Sequence, residues 1–461
     1  MKKLLILLAM MPGLIGVAQA ANLMDVYQMA EQQDPKLQEA KHQLDAQKTQ
    51  IGQARGQLLP SVDLSANEQW NNQKLSVDSS GGFAFPGGTY DYNSNGYTLQ
   101  LTQPLFNMPA FRTYGQSKQV VRQAKVQYQA AQQSLILRVA NAYFNILLAQ
   151  DELQTAEAER QALLKQLDQA KREFQVGTAS KVDVDEAQAR YDQSDSSVIS
   201  ARNQVQVAQR QLAQIVGQPV TSLAGLTGKL PLQSPKPEKM QAWIQAARKN
   251  NLSVVAQREG VKIARSNVSI QKGSWYPTLN AVAFRDRSTS NSFGNTRTTT
   301  TTNAVGVQLN WNLFSGGTRH YKIKQAAAQL SQSQSTLVDD MRQAEFSASQ
   351  AYLNLENSIS QIKANRQSLK SSQTSLASTK IGRRVGTRTI VDVLNALQQV
   401  YTAQSNLYQA RYNYLINRLQ LKQAVGQLQV SDVRGINALL GPAGASSQGP
   451  SAQDNGSGGG Q

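Results

Sequence analysis

Cysteine is absent from the 461 residues, histidine occurs twice, and aromatic residues make up only 6 %. Without cysteine there is neither a disulfide framework nor a thiolate metal site, so stability must come from packing or assembly. The two histidines, His42 and His320, lie far apart in polar stretches. No glycine-rich phosphate loop ending in Lys-Ser or Lys-Thr is present, and no His-Glu-x-x-His. The sequence thus offers no catalytic, cofactor or metal site and points away from an enzyme. Gln, Ala and Ser fill long stretches. The chain has the length of two or three domains, yet not the apolar content to fill as many globular interiors. Extended helices packed side by side resolve that conflict.

Long apolar runs are missing too, apart from the start. Lys2 and Lys3, the apolar stretch Leu4 to Val17 and the small-x-small site Ala18-Gln19-Ala20 read as a secretory signal over residues 1–20. Beyond residue 21 no segment approaches the ~20 apolar residues a spanning helix needs, so any membrane span must be a β-barrel. The balance is basic, with a formal net charge of +17. Lys and Arg are scattered along Gln-rich stretches without aromatic interleaving, which reads as solvated helix faces and not as a nucleic-acid surface.

What is present is a long internal repeat. Residues from about Pro104 to Gly217 reappear from about Asn312 to Gly426 at an offset of 209: Ala142-Tyr143 matches Ala351-Tyr352, Val176-Gly177-Thr178 matches Val385-Gly386-Thr387, and Val182-Asp183-Val184 matches Val391-Asp392-Val393. A weaker match at 217 joins Leu59-Pro60 to Tyr276-Pro277. This period is far longer than a solenoid unit of ~20–50 residues and implies two copies of one domain-sized unit. The expected organisation is a signal peptide over 1–20, a first repeat over 21–217, a linker over 218–239, a second repeat over 240–440 and a disordered tail over 441–461.

Each repeat begins with a short helix, from about Leu23 to Gln57 and from about Met240 to Gly273. Long helices follow over about Ala110–Phe174 and Thr318–Ile381, the second with apolar residues at seven-residue steps from Met341 through Ala348, Leu355 and Ile362 to Leu376. At 1.5 Å per residue each would run ~100 Å. The helices after the Val-Gly-Thr turns alternate steps of three and four, as in Val184, Ala187, Tyr191, Ser194 and Val198, which specifies a left-handed coiled-coil seam. Between the short and long helices lie hairpin candidates over 61–105 and 278–314. Val305, Val307, Leu309, Trp311 and Leu313 alternate with polar residues, as do Tyr97, Leu99 and Leu101. Such two-faced strands suit a lipid-facing, water-lined barrel or a soluble sandwich, and the secretory signal favours the barrel. Four strands do not close a barrel, which takes at least ~8. Open edges have no place in lipid, so several chains must pool their strands. An exported structural coiled-coil protein, such as a filament or surface subunit, is the alternative. It leaves the hairpins and the asymmetric charges near the turns without a purpose.

The order of elements, with VGTRTIVDVLNALQQVY from Val385 to Tyr401 and ARYNYLINRL from Ala410 to Leu419, resembles the outer-membrane efflux protein family over Asn22 to about Leu440. The resemblance implies a mixed α/β membrane protein of a Gram-negative outer membrane. In it, four strands per chain join a trimeric twelve-stranded barrel continued by a long α-helical coiled-coil barrel. It implies a passive exit duct for efflux or type I secretion, opened when it docks on a periplasmic adaptor and an inner-membrane efflux pump or ABC transporter. Asp168, Arg383 and Arg388 match positions that hold the periplasmic end shut. Arg383 stands where the family has an aromatic link, which leaves two alternatives for it: a pair with Asp168 in place of that link, or a guanidinium turned to water. Asp392 matches an acidic pore constriction whose second acidic ring is Asn395 here, implying one ring and weaker cation preference. The turns carrying Val176, Gly177 and Thr178 and Val385, Gly386 and Thr387 match adaptor-docking tips. The residues themselves give Asp392 a plainer role at a helix N-terminus, and Gly177 and Gly386 one as helix C-caps.

Overall fold

The computed structural model describes residues 20–76, 87–220, 222–227, 230–290 and 297–441. The signal sequence, apart from Ala20, and the tail beyond Gly441 lie outside the described residues. Helices α1 (Leu23–Gln33) and α2 (Pro35–Gly56) lead to strands β1 (Ser61–Leu75) and β2 (Gly88–Phe106), then to α3 (Met108–Gln175) and α4 (Lys181–Val216). After β3 (Gly225–Leu226) come α5 (Met240–Asn250), α6 (Leu252–Gly273), β4 (Thr278–Ser290), β5 (Thr298–Asn310), α7 (Thr318–Arg384) and α8 (Ile390–Ala424). Helix α9 (Val430–Asn437) and β6 (Leu440–Gly441) end the described chain. Among the described residues no helix is long and apolar enough to cross a membrane.

Each short helix expected from the sequence is two. Asp34 stands extended at φ −66°, ψ 117°, as a residue before proline must, and Pro35 opens α2. Asn251 breaks the equivalent helix at φ −53°, ψ 132° without a proline. The second hairpin also stops short of 314: β5 ends at Asn310, and the Trp311 indole N–H donates to the Trp275 carbonyl at 3.1 Å.

The chain divides into two compact units, and each draws on both repeats. One comprises Lys41–Gln127 and Ser253–Asp340. It holds a four-stranded antiparallel sheet of order β1-β2-β4-β5, so β1 and β5 are open edges. Register places Val62, Leu101, Ala283 and Val305 side by side on one face, while Asp63, Gln100 and Ser65, Thr98, Asp286, Thr302 share the other. The apolar face is bare: Val305 is 88 % exposed and Leu64 70 %. Beside the sheet, α3 and α6 are tied by side chains reaching across. Arg122 pairs with Glu259 at 3.1 Å, and the Gln116 and Gln123 amides donate to the Ile263 and Ala256 carbonyls.

The other unit comprises, of the described residues, those within 20–40, 128–252 and 341–441. The Pro-rich link is packed here: β3 pairs with β6, Leu223, Ala224, Leu226 and Leu230 are buried, and the Tyr143 hydroxyl donates to the Ala224 carbonyl at 2.6 Å. Buried Asp34 accepts both guanidinium nitrogens of Arg138, at 2.7 and 2.8 Å. Gly426, at φ +70°, ends α8 so close to α5 that an added Cβ would lie 2.2 Å from the Asn250 carbonyl oxygen.

Candidate functional site at the paired helical turns

Two turns, joining α3 to α4 and α7 to α8, are built alike. Gly177 (φ +76°) and Gly386 (φ +78°) adopt the left-handed conformation that favours glycine. The Gly177 N–H donates to the Phe174 carbonyl and the Thr178 N–H to Glu173, the two bonds of a Schellman closure. Gly386 to Arg383 and Thr387 to Gly382 repeat them 209 residues on. Each threonine hydroxyl doubles the last bond, Thr178 Oγ1 to the Glu173 carbonyl at 3.0 Å and Thr387 Oγ1 to Gly382 at 3.1 Å. Three residues further, Ser180 with Asp183 and Thr389 with Asp392 close capping boxes. The apices are apolar and open, with Val176 74 % and Val385 68 % exposed.

Asp392 sits in its cap: its Oδ2 accepts from the Thr389 N–H at 2.9 Å and from Thr389 Oγ1 at 3.0 Å. Those bonds, backbone first, and nearby Arg388 hold its carboxyl below the ordinary value, so it carries charge at neutral pH. Asp183 makes the same bonds to Ser180. Asn395 accepts from Arg190 of α4 at 3.1 Å, and that guanidinium also reaches Gln398 and Glu186.

Behind the turns the helices share one apolar cluster. Leu163, Leu167 and Ala170 of α3, Ala187 of α4, and Ile390, Leu394 and Leu397 of α8 are buried together. Helix α8 therefore buries Leu394 and Leu397 beyond its seven-residue seam, because it packs against both α3 and α4. Outside this cluster opens a cleft of about 830 Å³, lined among others by Gln166, Glu173, Lys380, Arg383, Arg384 and Arg388.

Among the described residues Arg383 neither pairs with Asp168 nor is left to water. Arg383 turns from Asp168 to Glu173, with Nη2 to Oε2 at 2.6 Å and a longer bond to Gln166 at 3.4 Å. Asp168 is exposed and has no ion pair among the described residues. Arg388 is exposed as well; its stem lies over Gly382, where an added Cβ would come within 2.8 Å of Arg388 Cγ. Glu173 is the residue that sequence reasoning missed. A signal for it existed: the copies differ there, Glu173 matching Gly382 and Phe174 matching Arg383.

Known proteins share both sequence and architecture. The outer membrane efflux protein family matches residues 26–218 and 243–427. Outer membrane protein TolC of Escherichia coli (strain K12) is 35 % identical over 452 residues, covering 95 % of this chain and 90 % of that protein. The alkaline protease secretion protein AprF of Pseudomonas aeruginosa is 29 % identical over 423 residues, covering 91 % and 87 %. Among solved structures, the outer membrane protein VceC of Vibrio cholerae has the same fold, with a TM-score of 0.71 at 19 % identity over 88 % of this chain and 96 % of that one. The duplicated helical turns, the two-faced sheet and nearly full-length relatedness make this chain a member of the outer membrane efflux protein family, a transport family of the Gram-negative outer membrane and not an enzyme class.

Proposed function

We propose that the chain is one protomer of a homotrimeric exit duct for efflux or type I secretion, with three four-stranded sheets closing a twelve-stranded barrel in outer-membrane lipid. The observation that carries this reading is the open sheet with one bare apolar face. Two unpaired edges of 15 and 13 residues are untenable in hydrocarbon, where every backbone group needs a partner. Pairing the β5 edge of one protomer with the β1 edge of the next satisfies both. A periplasmic adaptor would dock on the apolar apices at Val176, Gly177, Thr178 and Val385, Gly386, Thr387, and an inner-membrane pump or ABC transporter would supply the energy.

The gate reading is revised by the ion pairs. Arg383 and Glu173 tie α7 to α3 within a protomer. Asp168 and Arg388, exposed and without an ion pair among the described residues, link neighbouring protomers. Asp392 is one acidic ring whose carboxylate stays ionised through its cap, and Asn395, engaged by Arg190, adds no second ring; cations are favoured by one carboxylate per protomer. Single-channel conductance in a planar bilayer tests the whole. Small cation-preferring steps that grow several-fold in Asp168→Ala/Arg388→Ser are expected. Channels unchanged by that double variant would sink the gate, and a folded preparation without channels would sink the duct.

A further inference from the structure

The outward face of the sheet is not uniformly apolar. Register continues the row Val62, Leu101, Ala283, Val305 into Leu64, Leu99, Arg285, Asn303 and then Ala66, Tyr97, Arg287, Thr301. Arg285 and Arg287 therefore point from the same face as the bare leucines and valines. Both are exposed, and neither side chain has an ion pair or hydrogen bond among the described residues. The one carboxylate beside them in sequence, Asp286, lies on the opposite face, where it accepts from Thr98 Oγ1 at 2.7 Å. Flanking the two guanidinium groups are the amide of Asn303, the hydroxyl of Thr301 and the phenol of Tyr97, all able to donate. Arg285 and Asn303 help line a depression of about 400 Å³ whose apolar lining includes Val62, Leu99, Leu101, Ala283 and Val305.

Resting on the barrel reading, the height of this patch follows from the strand. A strand tilted ~45° climbs roughly 2.4 Å per residue along the membrane normal, and the apolar band is ~25 Å tall. Arg285 lies seven residues from the start of β4, just past Trp275 and Tyr276, and Arg287 nine. They stand roughly 17 and 22 Å up, at the end of the strand away from α3 and α6, which is the outer leaflet. An unpaired cation there costs more the deeper it sits, and a phosphate offered to a guanidinium fork removes that cost by paired, charge-assisted hydrogen bonds.

We propose that Arg285 and Arg287 form a binding site for a phosphorylated lipid of the outer leaflet, a lipid A type glycolipid, with its phosphate on the two guanidinium groups and an acyl chain in the depression. Positive charge in the upper part of the apolar band, over an apolar seat, complements that lipid, whereas a zwitterionic phospholipid brings its own cation to the same place.

The test compares the full-length trimer with Arg285→Gln/Arg287→Gln, each reconstituted into phosphatidylcholine vesicles containing a minor fraction of diphosphoryl lipid A. After extraction into a nonionic detergent, the lipid A retained per chain is measured by mass spectrometry. Wild type should retain about tenfold more than the variant, the equivalent of ~1.4 kcal/mol. Dephosphorylated lipid A should be held no better by wild type than by the variant, and inorganic phosphate should not displace the lipid. Arg285→Lys/Arg287→Lys keeps the charge without the fork and should fall between; it also serves as the readout if the Gln variant misfolds. Equal retention by wild type and a folded variant, or displacement by inorganic phosphate, would overturn the site. A wild-type protein that fails to insert into the vesicles would overturn the barrel reading beneath it, an outcome separate from insertion without lipid preference.

Discussion

Breaking the Arg383–Glu173 pair should open the duct. The pair is short at 2.6 Å and half-sheltered, with Arg383 15 % and Glu173 31 % exposed. Fully exposed pairs contribute ~0–1 kcal/mol, and hydrogen bonds to charged groups ~1.5–3 kcal/mol; a value of about 1–2 kcal/mol per protomer lies between them. If opening breaks three copies together, the closed state loses about 3–6 kcal/mol, roughly two to four powers of ten in the closed-to-open ratio. Open probability in planar bilayers reads this directly, in a cycle of Glu173→Gln, Arg383→Gln and the double variant. Each single change should raise open probability by that order, and the double should add little. A charge swap, Glu173→Arg/Arg383→Glu, should recover part of the closure. Raising salt should affect wild type only modestly, since sheltered pairs are screened less than exposed ones. Additive single effects, or coupling of Arg383 to Asp168 with none to Glu173, would refute the latch.

Glycine substitutions separate strain from clash. Gly386→Ala meets no atom within 4 Å and should cost only the left-handed penalty of ~1–2 kcal/mol, whereas Gly426→Ala adds a collision with the Asn250 carbonyl. Its thermal midpoint should fall well below that of Gly386→Ala, and equal midpoints would show that the α5–α8 junction yields freely. Arg138→Met strands the buried Asp34 carboxylate and should destabilise by about 3–5 kcal/mol at neutral pH. Burial pushes the Asp34 carboxyl up, but the hydrogen bonds from Arg138 and the Leu37 N–H outweigh it and hold the group below 3.8. That stabilisation is present above the unfolded-state value and is lost as pH falls through the folded one. The gap between wild type and variant in acid unfolding should therefore close below about pH 4, and a constant gap would dismiss the charge argument.

Much of this architecture is written in local patterns. Strict alternation at Val305, Val307 and Leu309 and the matched Val-Gly-Thr turns locate strands and reversals, because a pleat repeats every two residues and a reversal needs glycine. The capping boxes at Ser180 and Thr389 are equally readable, since the bonds span only three residues. Other features hinge on partners distant in sequence. Arg383 has acidic residues at two nearby turns of α3, Asp168 and Glu173, and helix phase decides between them; chemistry does not. The break at Asn251 has no proline to announce it, and the strand at Gly225 and Leu226 depends on β6 more than two hundred residues later. The Arg285 and Arg287 pair was present in the sequence, but only strand register shows that both share the face of Leu99 and Leu101.

The two free edges of the sheet carry a genetic consequence. The edge strands β1 and β5 are different strands, so in the proposed barrel protomers would join head to tail, each chain lending one edge to either neighbour. A chain whose β5 is broken by a proline still offers a sound β1, so it enters rings and leaves one seam unclosed in each. In a cell making equal amounts of sound and broken chains, only about one ring of three in eight is wholly sound. Edge-strand lesions should therefore act dominantly, while lesions that keep a chain from folding and joining at all should merely halve the supply.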